Sequence, residues 1–325
     1  MLKQEHRSPS LLFFIAGVLM AKQFILGAGL IGSELSRQLV ARGDQVVVGT
    51  RSGTQLPHAA AVSVNANDAS ALTQALTGAE TLYICTNPPY ELWAKEWPAI
   101  GAATIEAAQN TGAKLIMMGN LYAHGIPTKP MTAQTPFTPA DTKGQIRAEL
   151  SEAIFASHRR GDIKAAEIRA SDYFGPAATV NAHLGNGFFE PLLAGKTAWV
   201  VGNPALKHSW AYIPDIAKTM IAVANSDEAL GRAWIAPHAS EASRNDIADQ
   251  VAHIAGRQDN PGKVAGIPQW LLRGIGLINP RMREVAASSY QFRHEFLADP
   301  SETERAFGFS ATPFADALEP TLAWI

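Results

Sequence analysis

A chain of 325 residues, 47% of them hydrophobic, is long enough for one large α/β domain with a smaller lobe packed around a substantial core. A formal charge of −2 without any long basic run excludes an electrostatic footprint for nucleic acid or an anionic membrane surface, so small molecules are the expected partners. The single cysteine, Cys85, rules out an intrachain disulfide framework, fits a reducing, cytoplasmic compartment, and reads as a buried apolar residue of a strand.

At the start, Lys3 and Arg7 precede the apolar run from Leu11 to Met20, a pattern resembling a secretory signal. A strand begins almost at once after Met20, which leaves little room for a cleavage region, and the run is too short for a transmembrane helix. Residues 1–20 are therefore expected to be an N-terminal extension, with Met20 as the expected start of the native chain.

The stretch FILGAGLIGSELSRQLVARGDQVVVGTRS, from Phe24 to Ser52, reads as strand, glycine turn, helix, strand and then a basic residue. Gly27, Gly29 and Gly32 follow the apolar strand in G-x-G-x-x-G spacing. The first glycine permits the tight turn, the second lets the backbone approach a pyrophosphate, and the third lets the helix pack on the strand. A phosphate then meets free N–H groups at the helix N-terminus, beside Leu30 and Ile31. Ile31, Leu35 and Leu39 share the core face of that helix, and Val46 to Val48 supply the next strand. The arrangement points to a dinucleotide site.

Further βα units follow in order. They comprise a strand near Ala61 to Asn65, a helix near Ala69 to Leu76, a strand from Thr81 to Cys85 and a long helix from Glu91 to Thr111 carrying Trp93 and Trp97 as core residues. A strand from Lys114 to Met118 comes after the Gly112 break, then a helix from Thr142 to His158 and a strand from Ile163 to Arg169. Alternation of this kind implies an α/β fold, a Rossmann-type doubly wound parallel sheet with ligands at the carboxyl ends of the strands. The expected division is a dinucleotide-binding domain over residues 21–175 and a smaller C-terminal substrate lobe over 176–325, with some segments of the lobe returning to the first domain.

These features resemble the extended or atypical short-chain dehydrogenase/reductase superfamily, including NAD-dependent epimerase/dehydratase-like proteins. The resemblance spans Lys22 to Ile325 and rests on GAGLIG, GNLYAHG after the fifth strand, EIRASDYFGP after the sixth, HSWAYIPDIAKTM, and a closing region with Gly308, Pro313 and Trp324. Leu26 stands where the extended pattern has its first glycine, which points to an atypical branch. The resemblance implies that Asp68 contacts the adenine amino group and that Thr86 and Asn87 line the cofactor. NAD enzymes usually carry an acidic residue after the second strand, whereas this chain has Thr50, Arg51 and Ser52. Arginine can clamp a ribose phosphate, so NADP(H) is the expected cofactor, with NAD(H) as the alternative.

The superfamily's chemistry uses a Tyr-x-x-x-Lys pair, in which lysine makes the phenolate accessible. In FTPADTKGQIRAEL the matching positions fall on Ala140 and Gly144, or on Asp141 and Gln145, and neither register supplies the pair. Asn120 stands where the family carries Ser or Thr. Tyr122 is then the candidate proton donor, with Asn120 as an amide that polarises a carbonyl. Lys143 reads as a solvated surface lysine facing away from the site. Asp172, Tyr173, His208, Trp210 and Tyr212 are candidates for shaping the substrate cleft.

Three readings compete: an atypical NADP(H)-dependent oxidoreductase acting on a small carbonyl, enone or alcohol; a nucleotide-sugar-type epimerase or dehydratase; and a catalytically inactive dinucleotide sensor. His124, His183, His208, His238, His253 and His294 are scattered without metal-ligand spacing, and no G-x-S-x-G elbow accompanies a serine, so neither a metal site nor a serine nucleophile is expected. The oligomeric state is expected to be monomer or homodimer.

Overall fold

A computed structural model describes residues 21–179 and 182–325, so the expectation for residues 1–20 lies outside the described residues. Strand β1 (Lys22–Leu26) leads through the glycine turn into α1 (Leu30–Ala41), followed by β2 (Gln45–Thr50), β3 (Ala60–Ser63), α2 (Ala69–Ala75) and β4 (Thr81–Ile84). A 3-10 turn at Tyr90–Leu92 opens α3 (Trp93–Thr111), and β5 (Lys114–Asn120) follows. A second 3-10 turn at Tyr122–His124 precedes α4 (Thr142–Arg159) and β6 (Ala165–Ala170).

The parallel pairings give the order β6-β5-β4-β1-β2-β3, extended beyond β6 by a seventh strand from the second half of the chain. β4 is fully buried and apolar except for Thr81, as a strand covered by helices on both faces must be. One face of the sheet carries α2, α3 and α4, where Phe24, Leu72, Trp93, Trp97, Leu115 and Ile154 pack together. On the other, α1 meets a helix from the second half, and Ile25, Leu35, Leu39, Ile216 and Met220 form the core. The chain reverses direction across the sheet between β1 and β4, the switch point that opens a crevice at the carboxyl ends of these strands.

The second half begins with β7 (Tyr173–Phe174), α5 (Asn186–Leu193) and β8 (Thr197–Val201). It returns to the sheet through β9 (Ala211–Tyr212), α6 (Ile213–Ala224), which packs on α1, and β10 (Ala233–Ile235), the seventh strand, parallel to β6. α7 (Arg244–Ile254), β11 (Lys263–Ile267), α8 (Gln269–Ile278), α9 (Pro280–Ser288), α10 (Ser301–Phe307) and α11 (Phe314–Leu322) complete it. The pairs β7–β9 and β8–β11 are parallel and lie outside the main sheet, around a separate apolar cluster that includes Phe174, Phe188, Phe189, Trp210 and Phe292. No helix among the described residues is long and apolar enough to cross a membrane.

Candidate active site

The crevice between β1 and β4 is a cleft of about 470 Å³. Gly27 to Ile31 form its floor; Gly49 to Ser52 and Val64 to Asn67 line one end, and Cys85 to Pro89 with Tyr173 the other. Gly27 has φ +110°, and a Cβ there would stand 2.6 Å from the Thr86 nitrogen. A Cβ on Gly32 would stand 2.0 Å from the Gly27 carbonyl oxygen, so the start of α1 comes this close to the turn only because residue 32 is glycine. At Gly29 a Cβ would meet nothing within 4 Å: this position borders open space. Gly29 is also the N-cap of α1 and offers no side-chain acceptor, and the first turn carries no acidic residue. The N–H groups of that turn are left for an anion, and the cradle fits a dinucleotide pyrophosphate.

Arg51 and Ser52 line the cleft at the carboxyl end of β2, as do Leu30, Ile31, Thr86 and Asn87. Asp68 does not. Its carboxylate caps α2 by accepting the Ala71 N–H at 2.9 Å, while Asn65, Ala66 and Asn67 line the wall instead. The capping role was readable from an aspartate immediately before a helix. Cys85 borders the cleft just past β4, and burial pushes its thiol up to about 12, so it is an inert packing residue rather than a nucleophile.

Directly after Pro88 and Pro89 of the cleft wall, the 3-10 turn before α3 meets the one after β5 and brings two phenols together, Tyr90 and Tyr122, with hydroxyls 3.0 Å apart. The Tyr122 ring stacks on Trp93 at 6.1 Å and 26°, and Tyr90 meets the same indole edge-on at 5.2 Å. Burial pushes the Tyr122 phenol well above the usual tyrosine range, reinforced by Tyr90 and the charge of Asp172. Burial likewise raises Tyr90 and takes Tyr173 up to about 12. The phenols are therefore protonated at neutral pH. Asn120 uses its side-chain oxygen to accept the Tyr122 backbone N–H at 3.1 Å, which fixes the turn that aims Tyr122.

The stretch matched to the superfamily's acid–base pair is the start of α4. Asp141 is the N-cap, accepting the Gly144 N–H at 2.8 Å. Gly144 lies against the turn of Tyr122, where a Cβ would stand 2.5 Å from the Tyr122 carbonyl oxygen. Lys143, expected as a surface lysine, is 1% exposed. Its ammonium lies 3.1 Å from Asp141 and 2.8 Å from Glu284 of α9, and 5.7 Å from the centre of the Tyr90 ring. The reason is tertiary: α9 folds over the start of α4 and supplies both a carboxylate and a backbone carbonyl. One turn further along α4, Arg147 is also buried and reaches the Asn87 amide oxygen at 3.3 Å. Sequence reasoning missed Arg147. The spacing that places residues i and i+4 on one helix face was the available signal.

Asp172 stands beyond β6. Burial opposes its ionisation, but the His208 hydrogen bond and the charges of His183, His208 and Arg244 outweigh burial and hold the carboxyl below its ordinary range. His208 Nε2 lies 2.8 Å from Asp172 and 3.3 Å from the Ser171 hydroxyl, and its ring stacks on Phe292 at 4.8 Å. Asp172 exerts its charge on Tyr90, Tyr122 and Tyr173, of which Tyr173 lines the cleft. Trp210 is fully buried, with its indole N–H donated to the Ala242 carbonyl at 2.9 Å, so it builds the lobe core rather than the cleft wall. Tyr212 likewise packs its ring against Phe174, at 5.5 Å. Among the described residues no cluster of His, Cys, Asp and Glu could hold a metal.

Compared by sequence with curated proteins, the chain has no match. Solved structures give the fold independently. The dTDP-glucose 4,6-dehydratase of Bacillus anthracis, in complex with NAD, superposes with TM-score 0.76 at 13% identity, covering 94% of this chain and 96% of that one. UDP-N-acetylglucosamine 4-epimerase from Bacillus cereus gives TM-score 0.73 at 15% identity over 94% of this chain and 96% of its own. The dTDP-glucose 4,6-dehydratase DesIV from Streptomyces venezuelae, as a double mutant with NAD and DAU bound, gives 0.73 at 18% over 94% and 96%. The sequence profile of the NAD-dependent epimerase/dehydratase family matches residues 24–235, from β1 through β10, and the chain therefore belongs to that family, within the extended short-chain dehydrogenase/reductase superfamily.

Proposed function

We propose that this protein is a nicotinamide-dinucleotide-dependent enzyme that interconverts a carbinol and a carbonyl on a small polyhydroxylated substrate, in the redox-neutral manner of sugar epimerases and dehydratases. The observation that carries this reading is the paired hydroxyls of Tyr90, which directly follows Pro89 of the cleft wall, and Tyr122, on which the charge of Asp172 acts. A bound nicotinamide dinucleotide supplies a hydride acceptor or donor. The protein's residues divide the remaining work. Gly27, Gly29 and the start of α1 receive the pyrophosphate, with Arg51 and Ser52 at the adenosine end. Tyr122, hydrogen-bonded to Tyr90, would donate its proton to the substrate oxygen as the carbonyl is reduced and take the proton of the carbinol as it is oxidised. Asp172, held ionised by His208, accepts a substrate hydroxyl and favours polyols over plain ketones. The family membership and the sugar-nucleotide neighbours support a sugar substrate.

A second reading, net reduction of a small carbonyl or enone by NADPH, is favoured by Arg51 in the cleft and the lack of an acidic residue after β2. The test is incubation of purified protein with NAD⁺ or NADP⁺ and UDP-glucose or dTDP-glucose, followed by NMR, beside an NADPH-oxidation panel of aldehydes, ketones and enones. A changed sugar without net absorbance change at the nicotinamide band supports the proposal; net oxidation of NADPH replaces it with the second reading. Tight cofactor binding with neither activity refutes both and leaves a dinucleotide sensor.

A further inference from the structure

α8 turns its apolar side outward. At the helical advance per residue, Trp270, Leu271, Ile275, Leu277 and Ile278 fall within one arc of about 160°, and all five are exposed, Trp270 by 74%, Leu277 by 85% and Ile278 by 87%. The inward side is narrow. Leu272 and Gly276 are its buried residues, and at Gly276 the helix crosses α9 so closely that a Cβ would stand 3.0 Å from the Arg283 Cα. An apolar helix face of this width left outward marks contact with something besides the protein's own core.

Basic side chains border the arc. A groove of about 400 Å³ is lined by Arg273, Arg283 and Arg293 together with Gln269 and Leu277, and by no carboxylate. The Gln269 amide oxygen accepts from Arg273 Nη2 at 3.2 Å and from Arg293 Nη1 at 3.0 Å, so two guanidinium groups converge on one neutral acceptor. Among the described residues none of the three arginines forms an ion pair with a carboxylate. Glu284, next to Arg283, is turned to Lys143 instead. From Gln269 to Arg293 the chain carries four arginines against one glutamate, a formal +3 in a protein of −2. The linear sequence shows no basic run because positions 273, 283 and 293 lie far apart in it; the pairing of α8 with α9 gathers them at one groove and makes a footprint that sequence order conceals.

Charge decides between the occupants of this face. In a twofold pairing of two copies through α8 the patch meets itself, and the arginines of one copy face those of the other. A polyanion without apolar surface satisfies the arginines and leaves Trp270, Leu277 and Ile278 in water. A bilayer with anionic headgroups meets both needs: the apolar arc enters the acyl boundary, tryptophan takes the headgroup level, and guanidinium groups bind lipid phosphate. We propose that α8 is an interfacial docking helix that seats the protein on an anionic membrane surface, with Arg273, Arg283 and Arg293 holding lipid phosphates beside it. The assignment is independent of the reaction proposed above.

The experiment is co-sedimentation of the full chain with vesicles of phosphatidylcholine alone or of equimolar phosphatidylcholine and phosphatidylglycerol, at low and at high salt. Partition onto the anionic vesicles is expected to be about tenfold or more above that onto phosphatidylcholine and to fall with salt. Combined Arg273→Gln, Arg283→Gln and Arg293→Gln should lower it about tenfold or more, and Leu277→Ser with Ile278→Ser should lower it on both vesicle types. The substituted side chains are exposed, so the variants keep their fold, which circular dichroism verifies. The apolar run from Leu11 to Met20 is common to every variant, so the differences between them report α8. Absence of binding to anionic vesicles, or equal partition of the wild-type chain and the triple glutamine variant, overturns the proposal. A dimer in solution that Leu277→Ser with Ile278→Ser dissolves, without vesicle binding, overturns it in favour of a second copy. Loss of UDP-glucose binding in the triple variant with vesicle binding unchanged overturns it in favour of a substrate site.

Discussion

Replacing Lys143 by Met separates a buried ion-pair network from a surface lysine. The ammonium sits 3.1 Å from Asp141 and 2.8 Å from Glu284, with a further bond to the Glu284 carbonyl at 3.1 Å, and is 1% exposed. Removing one member of a buried pair costs about 3–5 kcal/mol, because the partner charge stays behind. Two features reduce that here. The Glu284 side chain is 25% exposed and regains some water, and Asp141 keeps its cap on α4 through the Gly144 N–H. Lys143→Met is therefore expected to lower the unfolding free energy by about 2–4 kcal/mol. Equilibrium urea unfolding followed by circular dichroism measures this. Lys143→Met combined with Glu284→Gln removes the stranded charge and should recover about 1 kcal/mol or more of the loss. A solvated lysine would change stability by no more than about 0.5 kcal/mol, and a Lys143→Met loss that small would refute the network.

Arg51→Asp should weaken NADPH binding by a factor of about 10–100, from the loss of a charge-assisted contact worth roughly 1.5–3 kcal/mol, and leave NADH binding within a few-fold; titration by nicotinamide fluorescence checks it, and equal losses would refute the phosphate role. His124 sets a pH dependence of stability: burial, and then the Arg169 charge, take its imidazole down to about 4 from 6.5, with Nδ1–H on the Pro136 carbonyl and Nε2 turned to Arg169. Above pH 6.5 it is neutral in both states and stability is complete; as pH falls from 6.5 toward 4 the unfolded chain binds a proton that the folded chain refuses, and on the order of 3 kcal/mol is lost. His124→Gln should flatten the unfolding free energy between these limits, and an unchanged slope would show that other groups carry it.

The parts of the fold that were legible in the sequence are those set by local pattern. The glycine turn, the buried strands and the amphipathic helices through β6 follow from periodicities that each segment carries within itself. Asp68 carries a local signal, an Asx cap before a helix, beside the role the resemblance implies for it; Lys143 was misread. Lys143 carries no local sign of burial: its Glu284 partner is 141 residues away, and only the docking of α9 on α4 takes the ammonium out of water. Trp210 belongs with Lys143, since its indole partner, the Ala242 carbonyl, comes from the loop before α7.

The missing Tyr-x-x-x-Lys pair has a physical account in the same terms. Gly144 must remain small because the turn carrying Tyr122 comes against α4 at that point, where a side chain would collide with the Tyr122 carbonyl. A turn packed so closely on the helix brings its own phenol beside α4, and Asn120 fixes the turn through the Tyr122 backbone N–H. The inward face of α4 carries two buried cations, Lys143 and Arg147. They differ in what faces them. Lys143 is satisfied by carboxylates and ties α9 down beside Tyr90; Arg147 is enclosed by indoles and neutral acceptors. Loss of a sequence motif is therefore weak grounds for loss of chemistry here, because the motif specifies which element carries each group, and the turn packed on α4 brings phenols of its own.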